Sequence, residues 1–116
     1  MKLKHYTDIE LEEVTMDGAR KAHIRWLIAH KDGAPNFAMR MFEVEPGGFT
    51  PYHSHEWEHE IFIHSGKGEV FRNGEWVSVE SGYSIFIPGN EEHQIKNKGD
   101  DPFVFVCLIP SGAPEI

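Results

Sequence analysis

A chain of 116 residues with a formal charge of −8 at pH 7 has the size of one domain and can bury a core. Nineteen acidic side chains against eleven basic ones argue against a nucleic-acid or anionic-membrane surface, since both need clustered Lys and Arg. One cysteine excludes an internal disulfide and fits a reducing compartment. The opening MKLKHYTDIELEE has two lysines but no apolar segment behind them, so it does not read as a secretory signal. The longest apolar run, Phe103–Ile109, is far short of the ~20 helical residues that span a bilayer. The expectation is a soluble cytoplasmic protein in which residues 1–116 form a single domain.

Residues 1–20 are polar and without a clean period. Short strands are predicted around Leu3–Tyr6 and Leu11–Val14, with the option of pairing to another subunit. No stretch carries a sustained 3.6-residue apolar stripe, so no long helix is predicted. Ala22–Ala29 reads as a strand with Ile24, Trp26 and Ile28 on one face and His23 and Arg25 on the other. Phe37–Glu45 is the next strand. One of its faces carries Ala38, Arg40, Phe42 and Val44, and Pro46-Gly47-Gly48 ends it. Further strands are predicted at Glu60–His64, Glu69–Arg72, Glu75–Val79, Tyr83–Ile87, His93–Asn97 and Phe103–Ile109, before a loose tail at Ser111–Pro114. Asn73-Gly74 between two alternating runs is a strong hairpin signal, because a type I′ turn needs positive φ at both central residues. Eight or nine short strands at roughly ten-residue intervals predict a sandwich, barrel or jelly roll.

Eight histidines are the compositional oddity. His53 and His55 are two apart, so on an extended segment their rings point the same way. Glu56-Trp57-Glu58 can bend the chain and return His59 to the same centre, and His93 then comes from a distant strand. Four imidazoles so gathered predict one metal site inside a small β-barrel. Neutral imidazole suits Zn, Cu, Fe and Ni and, less selectively, Mn.

These residues also carry a resemblance. The stretch GGFTPYHSHEWEHEIFIHSG resembles the first motif of the cupin superfamily, G-x5-H-x-H-x3/4-E-x6-G, through Gly47, His53, His55 and Gly66. His59 stands at the glutamate position. Glu60 lies beside that slot, but only counting from His59 leaves six residues before Gly66. The second motif, G-x5-P-x-G-x2-H-x3-N, is matched by Gly82, Pro88, His93 and Asn97, with Asn90 replacing its last glycine. Asparagine tolerates left-handed backbone angles, which preserves the turn. The whole chain, including NFAMRMFEVEPGG and CLIP, is similar to small manganese-type four-histidine cupins of thermophilic bacteria. The resemblance implies an all-β cupin jelly-roll barrel with His53, His55, His59 and His93 as ligands to one divalent transition metal per chain. Manganese or iron is favoured, with Zn, Ni, Co and Cu as alternatives.

Four neutral ligands leave a divalent ion its full +2 charge, which favours an anionic ligand and raises the reduction potential. An octahedral ion would keep two open positions for substrate together with oxygen, peroxide or water. A closed zinc site of structural role fits the same ligands. Parity places Ile61 beside His59, Ile95 and Asn97 beside His93, and Phe105 with Cys107 on one face of the last strand. A mostly apolar substrate pocket is therefore expected from Ile61, Ile95, Phe105 and Cys107, with Cys107 read as a small buried hydrophobe in preference to a reactive or ligating thiol. Arg40 either binds a substrate carboxylate or faces solvent. Tyr52 and Trp57 flank the ligands as cavity mouth or as packing. The functional expectation is a metal-dependent oxidoreductase of dioxygenase type acting on a small organic substrate. A non-catalytic ligand-binding or sensing module, and a decarboxylase or isomerase, are the alternatives. Expected partners are a small-molecule substrate and a second copy of the chain, packed through the Phe62 side and the N-terminal segment, with neither nucleic acid nor membrane.

Overall fold

The computed structural model describes residues 1–113. They form one antiparallel sheet of nine strands that curls on itself. In chain order the strands are β1 (Glu12–Glu13), β2 (Arg20–Ile28), β3 (Phe37–Phe49), β4 (His59–Ser65), β5 (Lys67–Arg72), β6 (Glu75–Glu80), β7 (Ser84–Ile87), β8 (Ile95–Lys96) and β9 (Phe103–Pro110). Hydrogen-bonded neighbours run β6-β5-β8-β3-β9-β4-β7, with β2 and β1 added beyond β3. The only helical pieces among the described residues are 3-10 turns at Tyr6–Asp8 and His30–Asp32. No helix among them is long and apolar enough to cross a membrane.

Alternation gives β2, β3, β4 and β9 an inward face each, although Met41 and Val104 on the other face are buried as well, and register aligns the inward faces into rows. One row runs Trp26, Arg40, Cys107, Ile61 and Ile85 across β2, β3, β9, β4 and β7. The next runs Ile24, Phe42, Phe105 and Ile63. Phe42 and Phe105 stack with ring centres 5.2 Å apart, which adds to the burial of the core. Gly66 turns β4 into β5 with φ +87°, and a Cβ there would strike the Pro102 carbonyl, so only glycine is free of conflict at this position. The hairpin between β5 and β6 pairs Arg72 with Glu75 around Asn73 (φ +50°) and Gly74 (φ +81°).

Several sequence expectations need correction. Leu3–Tyr6 is not a strand; the chain instead makes the turn at Tyr6–Asp8, with Thr7 N–H donating to the ring of His5. Of Leu11–Val14 only two residues are strand, and they pair with β2 of the same chain. Pro46-Gly47-Gly48 does not end β3, which continues to Phe49. There Phe49 meets Arg20 on one side and Lys96 on the other, past an irregularity between Arg20 and Ala22 that absorbs the kink. The strand predicted over His93–Asn97 shrinks to Ile95–Lys96. Pro114 of the predicted tail lies outside the described residues.

Candidate metal centre

His53 and His55 lie on the extended stretch between β3 and β4, His59 opens β4, and His93 precedes β8. An isolated bridge joins the distant parts. His53 N–H donates to the His93 carbonyl at 3.1 Å, and His93 N–H donates back at 2.9 Å. Asn90 N–H donates to the His55 carbonyl at 2.6 Å, and Asn90 takes φ +67°, the left-handed conformation that a glycine would have supplied. Asn97 ties the other flank. Its amide donates to the carbonyls of Val44 and Asp101, both at 2.8 Å, and its oxygen accepts from Gly99 N–H. Its role is therefore to clamp the loop to β3.

The four rings converge. One nitrogen from each lies within 4.8 Å of the others. Opposite ligands of an ion at ~2.1 Å would sit ~4.2 Å apart, so the set closes on one ion with a shift of about half an ångström at most. Donor chemistry agrees. His55 Nδ1 donates to the Trp57 carbonyl and His93 Nδ1 to the Glu91 carbonyl, each at 2.9 Å. A carbonyl can only accept, so both rings carry their proton on Nδ1 and leave Nε2 bare. His55 Nε2 stands 2.8 Å from His59 Nε2. Trp57 stacks on His55 at 4.0 Å and 7° and fixes its plane.

Burial lowers the pKa of all four histidines, to about 4 at His53 and about 2 at His59. Neighbouring imidazoles add to this at His53, and Arg40 adds to it at His59. The rings are thus neutral at pH 7, the form a metal requires.

Arg40 is fully buried, which settles the sequence alternatives against solvent exposure. Its guanidinium carbon lies 5.1 Å from the Phe42 ring centre and 5.6 Å from that of Trp26. Nη2 reaches Cys107 Sγ at 3.0 Å and His59 Nδ1 at 3.4 Å, while Nε and Nη1 are buried without partners. Burial pulls the Arg40 pKa down and pushes the Cys107 thiol up, each partly offset by the other.

A cavity of about 30 Å³ adjoins His53, His59 and His93, room for roughly one or two waters. Ile61, Ile95, Phe105 and Cys107 line it, with Phe42, Thr50, Pro51 and Ile87. Arg40 is not in the wall; it sits behind Cys107 and His59. Glu60 is exposed on the opposite face of β4. Tyr52 is exposed, with its ring edge against Phe71. Sequence reasoning passed over the Trp57 and Glu91 carbonyls, for which no side-chain signal exists. It also passed over Phe42, whose place on the Arg40 face was readable by parity.

Residues 40–109 match the model of the Cupin domain family. A polyketide cyclase from Streptomyces resistomycificus superposes with a TM-score of 0.93 at 38% identity, over 98% of this chain and 82% of that one. A predicted oxalate decarboxylase from Thermotoga maritima superposes at 0.83 over 95% of this chain and 99% of that one; at 24% identity it speaks to fold alone. Glucose-6-phosphate isomerase from Thermococcus onnurineus is 32% identical over 95 residues, 72% of this chain and 50% of that protein. The chain spans about half the length of the curated relatives it matches.

Proposed function

The chain belongs to the cupin domain family, and on that premise we propose that it is a metal-dependent enzyme that activates a small carbonyl substrate, in chemistry of the cyclase or isomerase kind. The observation that carries this reading is the charge of the site. Its four candidate ligands are neutral, no carboxylate lines the cavity, and Arg40 adds a buried positive charge 3.4 Å behind His59. A divalent ion held by His53, His55, His59 and His93 supplies Lewis acidity toward a substrate oxygen. Manganese or iron is the proposed ion, although the same imidazoles suit Zn, Ni, Co and Cu.

The chain's own contribution is electrostatic. Arg40 favours negative charge developing on a substrate oxygen, and the apolar wall of Ile61, Ile87, Ile95 and Phe105 keeps the local dielectric low, so that this charge is felt. With its histidines committed as ligands, the wall offers no free base. A carbon acid flanked by two carbonyls, which needs little help to lose its proton, is the substrate class that suits such a site. Sugar phosphates and polyketides are both carbonyl compounds, so the similar isomerase and cyclase support this reading.

The cavity favours a second reading. Its small, apolar volume beside three of the histidines accommodates a diatomic molecule, as a dioxygenase-type oxidoreductase would require. Metal-loaded protein, given a 1,3-diketone in deuterated water both with and without air, separates the two. Exchange or cyclisation faster than background, lost in His59→Ala and indifferent to air, supports the first reading. Oxygen uptake matched to substrate loss moves the assignment to the second. Tight binding with neither leaves a ligand-binding module. The exposed Phe62 and Phe86 on the outer face of β4 and β7 are the proposed contact between two copies of the chain, because an apolar face of this kind gains by being covered.

A further inference from the structure

Two of the candidate ligands have their rings set by backbone carbonyls, His55 by Trp57 and His93 by Glu91. His59 has no such carbonyl. Its Nδ1 meets two side chains, Cys107 Sγ at 3.0 Å and Arg40 Nη2 at 3.4 Å. For Nε2 of His59 to offer its lone pair, Nδ1 must carry the ring proton, and that N–H then needs an acceptor. Arg40 cannot be the acceptor, since a guanidinium has only donors. The sulfur can.

We infer that Cys107 is the positioning residue of His59: its sulfur accepts the Nδ1–H and thereby directs Nε2 to the metal, while Arg40 holds the sulfur from the other side. This rests on the metal-binding reading given above. Arg40 stands directly opposite Cys107 in the β3–β9 register, and its Nη2 donates to Sγ at 3.0 Å. The thiol proton is left to face the Leu108 carbonyl at 4.0 Å. A neutral thiol thus accepts on one side from the ring and on another from the guanidinium, and no ionisation is needed. The burial of Arg40 points the same way. It is fully enclosed with two donors idle, an arrangement that costs stability. With Nδ1 of His59 protonated, the hydrogen bond left to Arg40 is the donation from Nη2 to Cys107 Sγ, which ties the guanidinium to the sulfur alone. A carboxylate in the sulfur's place would form a stronger pair with Arg40 and would place a negative charge beside the ligand. Sulfur fixes the ring and leaves the centre cationic.

The test uses zinc as a diamagnetic probe and nitrogen-15-labelled full chain. Two-bond nitrogen–proton correlations of the zinc-loaded protein are expected to show His59 protonated at Nδ1 and ligating through Nε2. Competition with a chelator should then find Cys107→Ser, which keeps an acceptor, within about three-fold of the unmodified chain. Cys107→Val, similar in volume but without an acceptor, should weaken zinc by about 10–100-fold. His59 bare at both nitrogens, or ligating through Nδ1, overturns the inference, as does Cys107→Val binding zinc as tightly as Cys107→Ser. The spectrum of the unmodified chain can overturn the inference even if a variant fails to fold. Failure of that chain to take up zinc at all overturns the metal reading and this inference together, whereas normal uptake with the wrong tautomer overturns this inference alone.

Discussion

His55 and His59 are four residues apart, and their Nε2 atoms lie 2.8 Å from one another, yet they are held in opposite ways. His55 is fixed by a backbone carbonyl and a flat Trp57 stack on the rim. His59 is fixed deep in the barrel by the side chain of Cys107, which Arg40 holds in turn. Backbone carbonyls are present whatever the local sequence, so substitution can take the Trp57 stack from the first arrangement but not its hydrogen bond. The second exists only while two side chains on two other strands are kept. The rim ligand is therefore robust and the deep ligand adjustable.

The largest effect expected concerns the deep ligand itself. His59→Ala should lower metal affinity by at least about 100-fold, beyond the range of a substitution that merely loosens a ligand. Its neighbour on the outer face, Glu60→Ala, should leave affinity within about two-fold. Isothermal titration with the same ion measures both, and the reverse order would hand the ligand position to Glu60. On the rim, Trp57→Leu should cost about ten-fold in affinity, because the stack is lost while the carbonyl remains. A loss as large as that of His59→Ala would show that the ring stack, and not the carbonyl, holds His55.

Acid should act next, and mainly on the deep side. All four histidines have folded pKa values below the ordinary ~6.5, so the unfolded chain takes up protons first as pH falls. The stabilisation is fully present above ~6.5 and is lost as pH falls, toward about 4 for His53 and about 2 for His59. For His59, only 5% exposed, the metal-free protein should lose roughly 1 kcal/mol per unit of pH below 6.5. Urea midpoints at pH 7, 6 and 5 measure this, and constant midpoints would contradict it. The smallest effect belongs to Arg40→Met. Removing a buried cation with idle donors should leave the fold unchanged in stability or raise it by ~1–2 kcal/mol, while azide or another small anion binds the loaded site less tightly.

Much of this architecture was legible in the residues. Alternation in 37–45 and 103–109 defines inner faces that the burial of Ala38, Phe42, Val44, Phe105 and Ile109 matches. Asn73-Gly74 marks its hairpin, and the spacing of the histidines is that of a chelate. The rest depends on contacts far along the chain. A strand through Pro46 and Gly47 is unexpected from propensity, and it persists because Phe49 has Arg20 and Lys96 as neighbours. Parity puts Arg40 on the inner face with Ala38, Phe42 and Val44, but its hydrogen-bond partner there, Cys107, lies 67 positions away. The short β8 follows from His93 bonding to His53, where a continuous ladder was expected. The N-terminal turn rests on the ring of His5 accepting from Thr7, a local bond that competes with strand formation.

The reciprocal bonds between His53 and His93 bear on metal exchange. Gathering donors forty positions apart from a floppy chain would set a loop-closure cost of ~3 kcal/mol against binding. Here the backbone has already closed that loop, so an arriving ion meets a finished chelate. Its uptake should then be governed by how fast it sheds water, and its escape should require no unfolding of the barrel.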